Sequence, residues 1–121
     1  MKATTYRDLV LWQKAHQLVL FVYRLSRGFP PDERFALVSQ VRRSASSIAA
    51  NIVEGHARHN TNVFLNHLSV ARGSLEETKY HLLVARDLGY LSGSEYEKID
   101  QLANEVGRLL HAFQQSLRAK N

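Results

Sequence analysis

The chain of 121 residues contains no cysteine, two prolines and six glycines. Without cysteine there are no disulfides, no thiolate zinc sites and no thiol nucleophile, which accords with a reducing, cytoplasmic setting. The prolines are adjacent, at Pro30 and Pro31, so no ring interrupts a helix anywhere else. The longest apolar run, Leu18 to Tyr23, falls far short of the roughly 18 residues that suggest a membrane span. The start, Met1 to Asp8, has no apolar signal region, so no membrane partner is expected. A glycine-rich phosphate loop, a nucleophile elbow and a His-Glu-x-x-His element are all missing. The expectation is a non-enzyme with no catalytic residues, no cofactor and no metal.

What the chain does have is apolar residues, 45% of the total, and a basic excess of sixteen Lys and Arg over eleven Asp and Glu, a net +5. A chain of this size buries roughly two-thirds of its unfolded surface, enough for a single domain over 1–121 without staples. Leu11, Ala15, Leu18, Val22 and Leu25 alternate in steps of four and three, which predicts a helix over about 8–27, ending near Gly28. The prolines and the acids Asp32 and Glu33 then open a second helix over about 32–54, with Gly55 as its stop.

Phe64, Leu68, Ala71, Leu75, Thr78, Leu82 and Ala85 keep the same alternation and predict a third helix over 62–88, closed by Gly89. Ser92 with Glu95 forms a capping box for a fourth helix over 93–118, marked by Ile99, Leu102, Val106, Leu109, Phe113 and Leu117. No segment alternates with period two. Short connections join antiparallel neighbours, so the fold class is all-α, an up-down-up-down four-helix bundle.

Two helix faces carry more than a core. The apolar positions of the first helix, with Trp12 and Tyr23 at one edge, sweep roughly 200° at 100° per residue, where a bundle core uses about 120°. That excess predicts self-association with Trp12 and Tyr23 as aromatic anchors. On the second helix Gln40, Arg43, Ser47, Asn51 and Glu54 fall on one polar stripe among small residues, readable either as a solvated face or as a hydrogen-bonded seam at a subunit contact. Arg43 and Glu54 are about 16 Å apart along one helix, so any charge partner belongs to another helix or subunit. Gly73, within the third helix, costs about 1 kcal/mol relative to alanine and hints at close helix approach or a bend.

Other candidates are weaker. His56 and His59 sit in a turn without a carboxylate cluster. His67 and His81 are about 21 Å apart on one helix and cannot share an ion. Glu76 and Glu77 point about 100° apart, a poor acid/base pair. Residues 1–31 hold Lys2, Arg7, Lys14, Arg24 and Arg27 against Asp8 alone, a balance of +4, whereas 60–121 balance to zero. Lys14, Arg24 and Arg27 are therefore the candidate contacts to RNA or DNA, to the backbone and without base specificity.

Gln40-Val41-Arg42-Arg43-Ser44-Ala45-Ser46-Ser47-Ile48-Ala49-Ala50-Asn51-Ile52-Val53-Glu54-Gly55, preceded by Leu9 to Ala15 and followed by Ala71-Arg72-Gly73-Ser74-Leu75-Glu76-Glu77 and Leu88-Gly89-Tyr90-Leu91, resembles a known pattern. It is similar to the four-helix bundle proteins encoded in intervening sequences of bacterial 23S rRNA genes, over almost the whole chain. The resemblance implies a homopentamer. It also implies kinship with the accessory proteins of diversity-generating retroelements, in which a basic pentamer associates with nucleic acid and a reverse transcriptase. Here Asn60-Thr61-Asn62-Val63 lacks the charges expected at the start of the third helix. Two functional classes stand: a nucleic-acid-binding homopentamer, and a protein-interaction scaffold whose charge is incidental.

Overall fold

The computed structural model describes residues 5–120, so Lys2 of the basic first segment lies outside the described residues. The α-helices are α1 (Val10–Ser26), α2 (Leu37–Ala57), α3 (Thr61–Asp87) and α4 (Gly93–Ala119), with short 3-10 turns at Tyr6–Asp8 and Pro31–Glu33. There is no strand among the described residues. Each helix packs on its two neighbours in the cycle α1, α2, α3, α4, and the backbones of the diagonal pairs stay more than 8 Å apart between Cα atoms. The α1/α2 and α3/α4 seams therefore face opposite sides of an antiparallel bundle. Leu18, Ile48, Ile52, Leu68, Ile99 and Leu110 are fully buried at its centre.

The second helix starts later and ends later than its residue pattern suggests. Pro31 initiates only a 3-10 turn, and Ala36, at φ −118° and ψ −102°, breaks the path before Leu37. Glu33 thus acts from outside the helix: its carboxylate accepts from the Leu37 amide at 3.4 Å and from the Tyr90 hydroxyl at 2.8 Å. The hydrogen bond to Glu33, then burial and the charges of Glu33 and Asp32, raise the Tyr90 pKa. Because the folded value lies above the unfolded one, this contact's stabilisation is intact at neutral pH. It is lost only as pH rises beyond the ordinary tyrosine range.

Gly55 is not a stop. The helix runs through it to Ala57, and the reversal falls on His59, at φ +50°. Gly55 is buried because a Cβ there would lie 2.6 Å from Cδ1 of Phe64 and 2.9 Å from Cβ of His67, so its missing side chain lets α2 and α3 approach closely. Asn60 caps α3 by accepting from the Val63 amide at 3.0 Å, Gly89 closes it at φ +79°, and Ser92 and Glu95 cap each other's amides at 3.0 and 2.9 Å.

The broad apolar arc of α1 is largely consumed inside the bundle. Leu11, Ala15, Leu18 and Val22 face the core, while Trp12, Val19, Phe21 and Leu25 pack half-buried against it. A helix flanked by two neighbours needs apolar cover on both sides, so a wide arc does not by itself leave a free face. What α1 still exposes is Val10, Leu20 and Tyr23, at 55%, 49% and 37%.

Candidate nucleic-acid interface

The head of the bundle, where α1 ends and α2 begins, brings together three guanidinium groups and two aromatic rings. Tyr23 of α1, Arg34 and Phe35 of the connection, and Arg42 and Arg43 of α2 line a groove of about 520 Å³ between the two helices. Arg42 is fixed in place. Its Nε donates to Ser26 Oγ at 2.8 Å, its Nη2 donates to the Tyr23 carbonyl at 3.4 Å, and the guanidinium lies 4.7 Å from the Tyr23 ring centroid. These bonds satisfy the carboxyl end of α1, where a helix leaves carbonyls unpaired and a cation is favoured.

Arg34 lies 5.4 Å from the Phe35 ring centroid, and Phe35 is 88% exposed, the most exposed large apolar side chain among the described residues. Among those residues neither Arg34, Arg42 nor Arg43 makes an ion pair. No local acid lines the groove, exposed Asp32 included. Glu33 is held by Tyr90 and Leu37, and Glu54 lies near the other end of α2. The groove therefore offers cationic donors beside exposed ring faces, the chemistry that holds phosphates and stacks unpaired bases.

The basic residues that the sequence points to do not form one surface. Lys14 is nine residues from Tyr23, half a turn around the helix at about 100° per residue, and its Nζ pairs with Glu105 of α4 at 3.5 Å. Arg24 is exposed, with its guanidinium 5.4 Å from the Phe21 ring centroid. Arg27 is exposed one turn beyond Tyr23 and does not line the groove. Trp12 is half-buried, edge-on to Tyr6 and stacked on His16 at 4.8 Å.

The polar stripe of α2 also divides. Ser47 and Asn51 are half-buried in a seam with α3: Ser74 Oγ donates to Ser47 Oγ at 2.8 Å, and Asn51 Nδ2 donates to the Ser47 carbonyl at 2.8 Å. With that amide so oriented, Asn51 Oδ1 accepts from His67 Nδ1 at 3.0 Å. One turn further along, buried Thr78 Oγ1 donates to Ser44 Oγ at 2.8 Å. Gln40, Arg43 and Glu54 are exposed, with Glu54 only 3.7 Å from His67 Nδ1. Within one chain neither Arg43 nor Glu54 is buried, and the two do not share a partner.

Arg34, Phe35 and Arg42 escape a reading of the sequence by charge tally, because residues 32–59 sum to four bases against three acids. The cue that was present is Arg34-Phe35 itself, a cation beside a large apolar residue directly after the proline turn. Among the described residues no group of three or more His, Cys, Asp or Glu is placed to hold a metal, and no helix is long and apolar enough to cross a membrane. His67 and His81 instead meet Asn51 and Glu77, the latter at 3.2 Å.

No curated protein matches the chain. Its fold is similar to the crystal structure, at 1.70 Å resolution, of a protein of unknown function from the S23 ribosomal protein family of Bacteroides thetaiotaomicron VPI-5482. The two share 26% sequence identity and a TM-score of 0.82, over 90% of this chain and 98% of that one. The model of the 23S rRNA-intervening sequence proteins matches residues 7–112, from the turn before α1 into the second half of α4, and the chain belongs to that family.

Proposed function

We propose that this chain is a non-enzymatic RNA-binding protein that works as a homopentamer and takes unpaired nucleotides in the α1/α2 groove. The observation that carries the reading is the grouping of Arg34, Arg42 and Arg43 around Tyr23 and Phe35, with no carboxylate lining the groove. Guanidinium groups bind phosphate in bidentate fashion, and an exposed ring adds sequence-tolerant stacking. The test is binding of a labelled oligouridylate in about 50 mM salt, where backbone contacts are strongest. An affinity that does not fall as salt is raised sinks the reading in favour of a protein scaffold. Phe35→Ala should weaken binding by about 1–3 kcal/mol if one base stacks there, with helicity and mass unchanged.

Support for assembly comes from the outer face of α3. Val70, Gly73 and Tyr80 lie on one stripe at steps of three and seven, and Val70 and Tyr80 are 53% and 62% exposed. A Cβ added at Gly73 would meet nothing within 4 Å, so nothing within the chain accounts for a glycine in mid-helix. Beside it α2 presents exposed Ala50 and half-buried Ser47, a shallow face that another copy's helix can approach. Five copies is the number implied by the family resemblance. Light scattering should give a five-chain mass for the wild type and a single-chain mass for Gly73→Leu, with helicity retained. If Gly73→Leu leaves a five-chain mass, α3 is not the contact.

A further inference from the structure

The second half of the chain carries no net positive charge, yet its folding segregates the charges. Of the acids of α3 and α4, Glu76 alone lines the groove between the two helices. Glu77 turns to His81 at 3.2 Å, Asp87 to Arg86 at 2.9 Å and Glu105 to Lys14 at 3.5 Å. Glu95 caps the Ser92 amide at 2.9 Å, and Asp100 accepts from Asn104 at 3.3 Å. Left along the seam are Arg72 and Lys79 of α3 and Arg108 and His111 of α4, with Glu76 as the acid among them, lining a groove of about 470 Å³.

Arg72, Lys79 and Arg108 make no ion pair among the described residues. The groove owes its depth to small residues: Ala103 is buried, and Gly107 is so placed that a Cβ would touch Leu75 at 3.4 Å.

From these observations the geometry points to the α3/α4 groove as a second RNA site, a track for the sugar-phosphate backbone on the side of the bundle opposite the α1/α2 groove. This rests on the RNA-binding reading above and deepens it. Arg72 and Lys79 are seven residues apart on α3, about 10 Å along the axis, and Arg108 stands on the facing helix.

The floor, Leu75, Ala103 and Gly107, is aliphatic and the groove has no Phe, Tyr or Trp, so it suits riboses and phosphates rather than a stacked base. The α1/α2 groove has the opposite character, with two rings among its arginines. Because the two seams lie on opposite sides, one chain engages two separate strand segments.

The experiment is a calorimetric titration of the assembled protein with hexauridylate at low salt, read as oligonucleotides bound per chain. Wild type should bind two, and Arg72→Glu/Arg108→Glu should bind one, with unchanged mass and helicity. Arg72→Lys/Arg108→Lys, which keeps the charge, should restore the second oligonucleotide with weaker affinity. The slope of log affinity against log salt at that site should fall by about 0.7 for each contact removed.

If the Glu variant binds as wild type does, the second track is refuted and the α1/α2 reading survives. If it binds none while Arg34→Glu/Arg43→Glu is unaffected, the α3/α4 groove is the RNA site and the α1/α2 reading falls. Hexaglutamate displacing hexauridylate from this groove at equal concentration would overturn the assignment in favour of an acidic peptide. Hexathymidylate binding equally well is expected, since the track reads backbone charge.

Discussion

Replacing Gly55 by alanine is expected to destabilise the bundle by about 2 kcal/mol, although alanine is the better helix former by about 1 kcal/mol. The reason lies across the interface. The new methyl group would sit 2.6 Å from Cδ1 of Phe64 and 2.9 Å from Cβ of His67. Phe64 is buried and packs edge-on against Phe113 at 5.4 Å between ring centroids, so its ring has little room to yield. Cβ of His67 is attached directly to the backbone and cannot rotate away.

Relief therefore requires α3 to move, which also stretches the hydrogen bonds from His67 to Asn51 and from Ser74 to Ser47. Gly55→Leu should cost more still. Denaturant midpoints with unchanged slopes measure this, and a Gly55→Ala protein as stable as wild type would show that α2 and α3 do not approach this closely.

How far this fold can be read from its sequence depends on the helix. In α3 every member of the four-three series, Phe64, Leu68, Ala71, Leu75, Thr78, Leu82 and Ala85, is buried. A helix that packs squarely on both neighbours keeps its centre of burial on its centre of hydrophobicity. In α4 the buried positions are Ile99, Ala103, Val106, Leu110 and Gln114, while Leu102, Leu109, Phe113 and Leu117 flank the core half-buried. There the apolar stripe overstates the large residues and overlooks Ala103 and Gln114, because burial follows where neighbouring helices lie and not hydrophobicity alone.

The functional surface was less legible. Lys14 looks like a free cation in sequence and is paired with Glu105 in space, ninety-one residues away. Arg34 and Arg42 look neutralised by Asp32, Glu33 and Glu54, yet Asp32 does not line the groove, Glu33 bonds Tyr90 and Glu54 lies more than two turns along α2. Segment sums assume that neighbours in sequence neutralise one another. On a helix, adjacent residues point about 100° apart, so acids and bases of one segment can serve different seams. The α3/α4 groove has the same origin: Glu76 and Glu77, adjacent in sequence, face the groove and His81 respectively.

Reversing Arg34 and Arg43 to glutamate should lower the affinity of the α1/α2 groove for oligouridylate by about 100-fold or more at 50 mM salt. Charge-assisted hydrogen bonds contribute about 1.5–3 kcal/mol each, and each 1.4 kcal/mol is a factor of ten, so losing two such contacts reaches that range before repulsion is counted. These two arginines are the informative pair because they are exposed and neither guanidinium makes an ion pair among the described residues. Arg42 is the wrong choice for charge reversal: a glutamate there would face the Tyr23 carbonyl at the end of α1, where negative charge is disfavoured, and would confound binding with stability.

The salt slope separates backbone contact from stacking. It should fall by about 1.4 in the double variant, two contacts at about 0.7 each for single strands, whereas Phe35→Ala should weaken binding with little change in slope. Binding through the α3/α4 groove should persist in both variants, so calorimetry should register loss of the site that holds the rings while one oligonucleotide per chain remains. An Arg34→Glu/Arg43→Glu protein that retains wild-type affinity, stoichiometry and slope would remove the α1/α2 groove from the account of RNA binding.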